Sequence, residues 1–374
     1  MRTSPITEED PALEYSTVGR HQDISAEGVI FDKASVYDRL HSLTDLRKAC
    51  GQRYSLVTVL MIILMAKLCG ANTPTEIAEW GTNHKEEMIR LLKLRRSSMP
   101  EQSTYRRIMA HKVYLEEVER LVGEYNRQGA QGKIYALDGK ALRGMRQREE
   151  TGGDYLLSVY DVEQGKAMAQ VEVGRKENEI TKAPEALKLV EISQKVITAD
   201  AMHTQKRASR QIVDDQGDFV FPVKENQPQL YKNIQALFAP EYPKPGFGKI
   251  PTDFLTAQKV NKGHGRIETR TITTSEMLNA YAAWPGLAQV YRLQREFQWR
   301  RHGQCYRTSC EVEFGITSLT RTQATPEQLL QIRRAHWGIE TGSPYRRDVT
   351  LKEDATPMTI GTRPKLWLAS TPWS

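Results

Sequence analysis

"KIYALDGKALRG", residues 133–144, sets a mainly apolar run ahead of a single acid, Asp138, and a glycine. "DYLLSVYDVEQG" (154–165) and "KAMAQVEVG" (166–174) follow, each apolar in the middle and closed by Asp or Gly turns. Such runs in succession read as three strands of a meander. The text then alternates: a helix in "ITKAPEALKLVEI" (180–192), a strand in "KVITAD" (195–200), a helix in "TQKRASRQIVDDQG" (204–217), a strand in "DFVFPV" (218–223) and a helix in "PQLYKNIQALF" (228–238). Three strands followed by alternating helix and strand predict an α/β fold, a mixed sheet with helices on both faces.

On either side of this block the period changes. Residues 1–26 are polar and without period, a flexible tail by composition. From about residue 27 to 126 the pattern is helical: the apolar run "LVTVLMIILMA" from Leu56, then "TPTEIAEWGTNHKEEMIRLLKLRR" (73–96), then "MPEQSTYRRIMAHKVYLEEVERLV" (99–122), with Pro100 and Glu101 in its expected first turn. The Leu56 run stops at Lys67, short of the roughly 20 residues that span a bilayer, so a buried helix and no membrane partner are expected. Residues 240–324 are strand-like again, as in "LAQVYRLQREFQWRR" (287–301) and "CYRTSCEVEFGITSL" (305–319). They predict a β-rich insertion before a last helix, "TPEQLLQIRRAHWGIE" (325–340). Thr325 is its expected cap, Pro326 its first residue and Gln328 the capping-box partner.

Charge and cysteine usage narrow the function. The 374 residues carry 53 Lys and Arg against 46 Asp and Glu, a net charge of +7, which suits a polyanionic partner. Seven basic residues fall between Arg90 and Lys112, Arg106 and Arg107 among them, against one acid, Glu101. Two short helices joined by a turn there fit a helix-turn-helix contact with DNA; the bland reading is a solvated basic face. Four scattered cysteines fit no disulfide framework, and the first fifteen residues have no apolar core, so a cytoplasmic protein with reduced thiols and no signal peptide is expected.

The acids carry the chemistry. Asp138 in "YALDGK" and Asp200 in "ITADAM" each follow an apolar run, and strand carboxyl ends are where such sheets present catalytic groups. Adjacent carboxylates repel unless a divalent cation holds both ionised, and all-oxygen ligands suit Mg²⁺ or Mn²⁺. The bland reading of either is a turn former or helix cap. A third acid, Glu340, follows His336 by one helical turn amid Arg333, Arg334, Arg346 and Arg347; pairing with arginine is its bland reading.

The strings "LDGKALRG", "NEITKAPEALKLV", "ADAMHTQK", "DFVFPVKENQPQL", "GHGRIETR", "WPGL" and "HWGIE…YRRDVTLKEDA" resemble, in this order, the H-repeat-associated (Rhs-linked) DDE transposases of bacterial insertion sequences, over about residues 27–361. The resemblance implies an RNase H-like catalytic domain over 130–361 with its insertion at 240–324, behind an N-terminal helical accessory domain. It implies the triad Asp138, Asp200 and Glu340, spaced by 62 and 140 residues, holding Mg²⁺ or Mn²⁺. The reaction would be hydrolysis at the element's ends and transesterification into target DNA. Lys140, Arg143, Arg266, Arg270, Arg346 and Arg347 would contact the backbone of double-stranded DNA, together with Arg106 and Arg107. In "REFQWRRHGQCYR" (295–307), Trp299 beside Arg300 would stack on an extruded base or else pack in the core. A homodimer on DNA is expected by analogy.

Two departures stand out. Pro344 follows Glu340 by four residues, so the helix is expected to kink or end beside the third ligand. The end, "GTRPKLWLASTPWS", lacks the helical period expected there, and residues 362–374 read as the product of a frameshift. A truncated copy that binds DNA without cutting is therefore the alternative reading. A two-carboxylate glycosidase is disfavoured, since its acid pair needs no basic surroundings.

Overall fold

A computed structural model describes residues 33–111, eight positions between 114 and 127, and residues 132–141, 155–174, 178–239, 252–263, 265–301 and 304–345; for 337–345 it describes the helical backbone alone. The chain divides into two compact units.

The first unit is helical: α1 (Lys33–His41), α2 (Leu56–Leu68), α3 (Pro74–Asn83), α4 (Lys85–Leu91) and α5 (Gln102–Met109), with helical residues again between 114 and 127. The apolar run forms α2, capped by Ser55, whose hydroxyl accepts from the Thr58 amide at 3.1 Å. Apolar on all sides, α2 is buried on all sides, and among the described residues no helix is long and apolar enough to cross a membrane. Thr73 caps α3 with Pro74 in its first turn. Gly81 of α3 faces the Tyr105 hydroxyl of α5, where a Cβ would make an ordinary contact at 3.4 Å.

Three details differ from the sequence reading. The segment 73–96 breaks at His84 into α3 and α4. Pro100 precedes the last helix instead of opening it, because Glu101 is the N-cap of α5. The ten residues from Leu92 to Glu101 separate α4 from α5, too long for the three- or four-residue turn of a helix-turn-helix.

Among the described residues the second unit is built on a nine-stranded sheet. Its strands are β1 (Ile134–Ala141), β2 (Tyr155–Asp161), β3 (Lys166–Val173), β4 (Val196–Ala199), β5 (Asp218–Val223), β6 (Leu255–Gly263), β7 (Arg266–Ser275), β8 (Gln289–Arg301) and β9 (Gln304–Thr317). Their spatial order is β3-β2-β1-β4-β5-β9-β8-β7-β6. β1 to β3 form the expected antiparallel meander, β4 runs parallel to β1, and β5 runs parallel to β4. Helices α6 (Glu179–Lys188), α7 (Lys206–Asp214) and α8 (Pro228–Leu237) follow the alternation, and α9 (Pro326–Tyr345) ends the described chain.

Strand alternation sorts the helices between the two faces. Phe219 and Phe221 of β5 pack with Ala186, Ile212 and Ile234 of α6, α7 and α8, whereas Val220 packs with Leu329 and Leu330 of α9. The strands of the insertion are no separate layer. Phe314–Thr317 of β9 pair antiparallel with Val223–Val220 of β5, so β9, β8, β7 and β6 continue the central sheet. Beyond that junction, residues 304–312 of β9 are mostly exposed.

α9 begins with the expected box: the Thr325 amide donates to Gln328 Oε1 at 2.8 Å, and the Gln328 amide faces Thr325 Oγ1 at 3.4 Å. Contrary to the expectation that it ends beside Glu340, α9 continues through Pro344 to Tyr345. The tail at 362–374 lies outside the described residues.

Candidate active site

Asp138 lies inside a strand and not at its end. β1 stays paired with β2 to Ala141, and Asp138 stands opposite the buried Ser158. What ends here is the parallel neighbour: β4 pairs with β1 up to Ala199 opposite Leu137, so Asp200 follows at the position beside Asp138. Parallel strands run about 4.8 Å apart, and residues in register share a face. For Asp138 that face is shared with Ala136, and for Asp200, held extended at φ −69° and ψ 161°, with Thr198.

Asp200 is the N-cap of a 3₁₀ turn over Ala201–His203, yet its side chain makes no capping hydrogen bond. The helix-cap reading of this acid therefore fails. Its carboxylate is 59% exposed. His336, on α9, sits over it with Nε2 at 3.6 Å from Oδ1, while Nδ1 lies 3.0 Å from Thr198 Oγ1. His336 holds the Asp200 carboxyl below the usual carboxylate range against the opposing effect of burial, and His203 and Arg333 add to the pull.

α9 is pinned one turn earlier. Arg333, 2% exposed, donates from Nε and Nη2 to the two carboxylate oxygens of Glu313 at 2.9 and 3.0 Å, and Tyr291 donates to the same carboxylate at 3.3 Å. Burial works against the Arg333 charge, but Tyr291 and Glu313 outweigh it and raise its pKa. Position 340 is one turn beyond His336 on the same face of the helix, though the Glu340 side chain lies outside the described residues. Among the described residues no set of three His, Cys, Asp or Glu gathers closely enough to hold a metal ion.

The opposite side of β1 explains the glycine of "LDGK". A Cβ on Gly139 would overlap the Glu179 carboxylate of α6, which lies 3.7 Å from the buried His203. Glu179 thus faces away from Asp138, across the sheet.

The expected DNA-contacting residues are scattered more widely. Arg106 and Arg107 are exposed on α5, Arg107 donating back to the Ser103 carbonyl at 3.2 Å. Arg266 is exposed at the start of β7 and stacks over Phe297 at 5.2 Å. Arg270 is buried and paired with Glu268 at 2.7 Å, so a direct phosphate hand is not what its side chain presents. Trp299 is half-buried between Phe297 and the Arg307 guanidinium, 4.7 Å from its ring, and Arg300 is exposed. The Lys140 side chain and residues Arg143, Arg346 and Arg347 lie outside the described residues. Thr198, Glu313 and Tyr291 were missed from sequence, since each acts through a contact to α9 that no local pattern announces.

Known proteins share this arrangement of sequence. The family described as "Transposase DDE domain" matches residues 129–343, and that described as "DDE_Tnp_1-associated" matches 37–125. "Putative transposase YncI" of Escherichia coli O157:H7 is 26% identical over 339 residues, covering 87% of this chain and 83% of the relative. "H repeat-associated putative transposase YhhI" of Escherichia coli K12 is 23% identical over 342 residues, covering 88% and 86%. A protein encoded in the dhlA 3′ region of Xanthobacter autotrophicus is 30% identical over 289 residues, covering 74% and 92%. Among solved structures, a piggyBac transposase synaptic complex with hairpin DNA aligns with a TM-score of 0.44 and 10% identity over 97% of this chain and 73% of that one. The transposase domain match takes in more than half of the chain, which therefore belongs to the DDE transposase family, in the H-repeat-associated branch of insertion-sequence transposases.

Proposed function

We propose that Asp138, Asp200 and Glu340 form one acidic cradle in an RNase H-like domain, and that the chain uses it to cut the ends of its element and join them to target DNA in the cytoplasm. The observation that carries this reading is the adjacency of Asp138 and Asp200 on parallel strands, on the sheet face that α9 covers. The strand order β3-β2-β1-β4-β5, with β2 alone antiparallel to its neighbours β1 and β3 in that run, supports the fold assignment. The helical unit is read as the accessory domain, with Arg106 and Arg107 turned outward for DNA.

The residues present fit a divalent cation. Two carboxylates in register, one of them solvent-open and held ionised by His336, are an all-oxygen donor set of the kind Mg²⁺ and Mn²⁺ prefer. Asp138, Asp200 and Glu340 would hold it, and when bound it would supply Lewis-acid activation of a phosphodiester and its attacking oxygen. The chain's own residues orient the site. His336 ties the end of β4 to α9, and Arg333 with Glu313 fixes the helix about two turns before position 340. Water attacks the phosphorus at the element's end and the P–O3′ bond breaks, leaving a 3′-hydroxyl on the element and a 5′-phosphate on the flanking strand; that hydroxyl then attacks a target phosphodiester, whose own P–O3′ bond breaks and releases a target 3′-hydroxyl as the new bond forms.

A supercoiled plasmid carrying the element's ends tests this. Nicking is expected in Mg²⁺ or Mn²⁺ and is abolished by Asp138→Asn, Asp200→Asn or Glu340→Gln. Nicking that survives these substitutions removes the site assignment. Wild-type protein that binds the ends and never nicks them makes this copy a DNA-binding remnant.

A further inference from the structure

α9 and the edge hairpin β6–β7 enclose a groove of 580 Å³ lined by Lys259, Arg270, Gln331 and Arg334. Glu327 stands at its far end, seven residues and roughly 10 Å from Arg334 along the helix. Arg270 lies at the base of the groove, 9% exposed. Its Nη2 meets Glu268 at 2.7 Å, but Nε and Nη1 are buried with no hydrogen-bond partner. Glu268 is shared with Arg266, 3.8 Å away, so the carboxylate is divided between two cations. Burial weakens Arg270's hold on its proton, and Arg334, Arg295 and Arg266 press the same way against Glu268. Arg295 is itself met by Glu311 at 2.8 Å. Above this buried charge stand two exposed cations, Lys259 on β6 and Arg334 on α9.

A buried donor left idle is unfavourable, and like charges around it add to the strain, so an anion entering the groove would relieve both. Position 340 is six residues beyond Arg334, roughly 9 Å along α9. A strand of duplex DNA advances about 3.4 Å per phosphate, so the groove and position 340 are two or three phosphates apart.

We propose that this groove is a phosphate site that grips the DNA backbone a few nucleotides from the scissile bond. Lys259 and Arg334 make the contacts, Gln331 borders them, and Arg270 supplies fixed positive potential from below. The inference rests on the reading of the chain as a DNA-cutting enzyme and adds a grip which that reading does not contain.

The test uses the full chain and a labelled duplex of arbitrary sequence, with affinity followed against salt. Both exposed residues can be changed without opening the core, so Lys259→Gln and Arg334→Gln are combined. The slope of log affinity against log salt becomes shallower by about 2 in that variant, at about 0.9 per lost contact. The wild-type-to-variant affinity ratio accordingly falls about tenfold between about 50 and 200 mM salt. Lys188→Gln, a remote exposed cation at the end of α6, leaves the slope unchanged. An equal fall per charge in that control, or no change in the double variant, overturns the site. A thermal shift of the wild type by inorganic phosphate, lost in the double variant while the slope stays put, assigns the groove to free phosphate and overturns the DNA grip. Plasmid nicking by the same preparations separates the two ideas. An unchanged slope with intact nicking sinks this inference alone, and a shallower slope without metal-dependent nicking in the wild type sinks the active-site reading alone.

Discussion

The ring of His336 bridges two neighbouring residues of the sheet, meeting Thr198 through Nδ1 at 3.0 Å and Asp200 through Nε2 at 3.6 Å. It ties α9 to the acid at the end of β4 and keeps that acid ionised. His336→Gln keeps a polar side chain of similar length and removes the imidazole that faces the Asp200 carboxylate. The Asp200 carboxyl then titrates nearer its ordinary value, seen by carbon-detected NMR, and metal-dependent nicking drops about 10–100-fold, as for other residues that orient ligands. Unchanged nicking in a folded variant would reduce His336 to packing.

Arg333 and Glu313 form a bidentate pair under α9, the arginine fully enclosed. Arg333→Met strands the Glu313 carboxylate and destabilises the second unit by about 3–5 kcal/mol. Adding Glu313→Gln recovers part of that loss, because the orphaned charge is gone. Urea denaturation of the single and double variants measures both, and strictly additive losses would show that the pair is not coupled.

Gly315 sits where β9 crosses between its neighbours, and a Cβ there would overlap the Tyr291 ring and the Phe221 carbonyl. Tyr291 is wholly buried, so neither partner has room to yield. Gly315→Ala lowers stability by about 2–3 kcal/mol, read from the urea midpoint at constant slope. A midpoint equal to wild type would mean the strand shifts freely.

Asp45 receives both Nε and Nη2 of Arg47, at 2.8 and 2.6 Å, and these bonds outweigh burial and lower its pKa from 3.8. Folded Asp45 takes up a proton less readily than unfolded Asp45. As pH falls the unfolded chain therefore binds protons first, so the contribution is complete above the ordinary carboxylate range and lost as pH drops through the lowered value. The first unit loses this stability as pH falls below the ordinary carboxylate range, and Asp45→Asn flattens that part of the profile while costing about 1 kcal/mol at neutral pH. Chemical denaturation at several pH values follows it; identical slopes with pH in both proteins would contradict the assignment.

Features written in short range were legible before the fold. The all-apolar face of α2, the Thr325 to Gln328 box and the alternation of β8 and β9 each depend on neighbours within one or two turns. Long-range pairings were not. The Thr317 hydroxyl donates to the Phe219 carbonyl 98 residues away, and nothing in "DFVFPV" announces that β9 will lie beside it. The same blindness placed Asp138 at a strand end, because β1 runs on to Ala141 only through its pairing with β2. Arg270 read as a surface hand for the same reason: its enclosure comes from α9, far along the chain. The two aspartates were found because an acid closing an apolar run is a local signal; the residues that orient them were hidden because their work is done across the sheet.

One strand carries both the core and the insertion, and this decides how the domain tolerates surgery. Cutting out residues 255–317 would strip β5 of its outer neighbour and bare a row of amides and carbonyls from Val220 to Val223, an invitation to sticky self-association. The insertion is thus no detachable accessory: a shortened descendant must keep Phe314–Thr317 or find another strand to shield that margin.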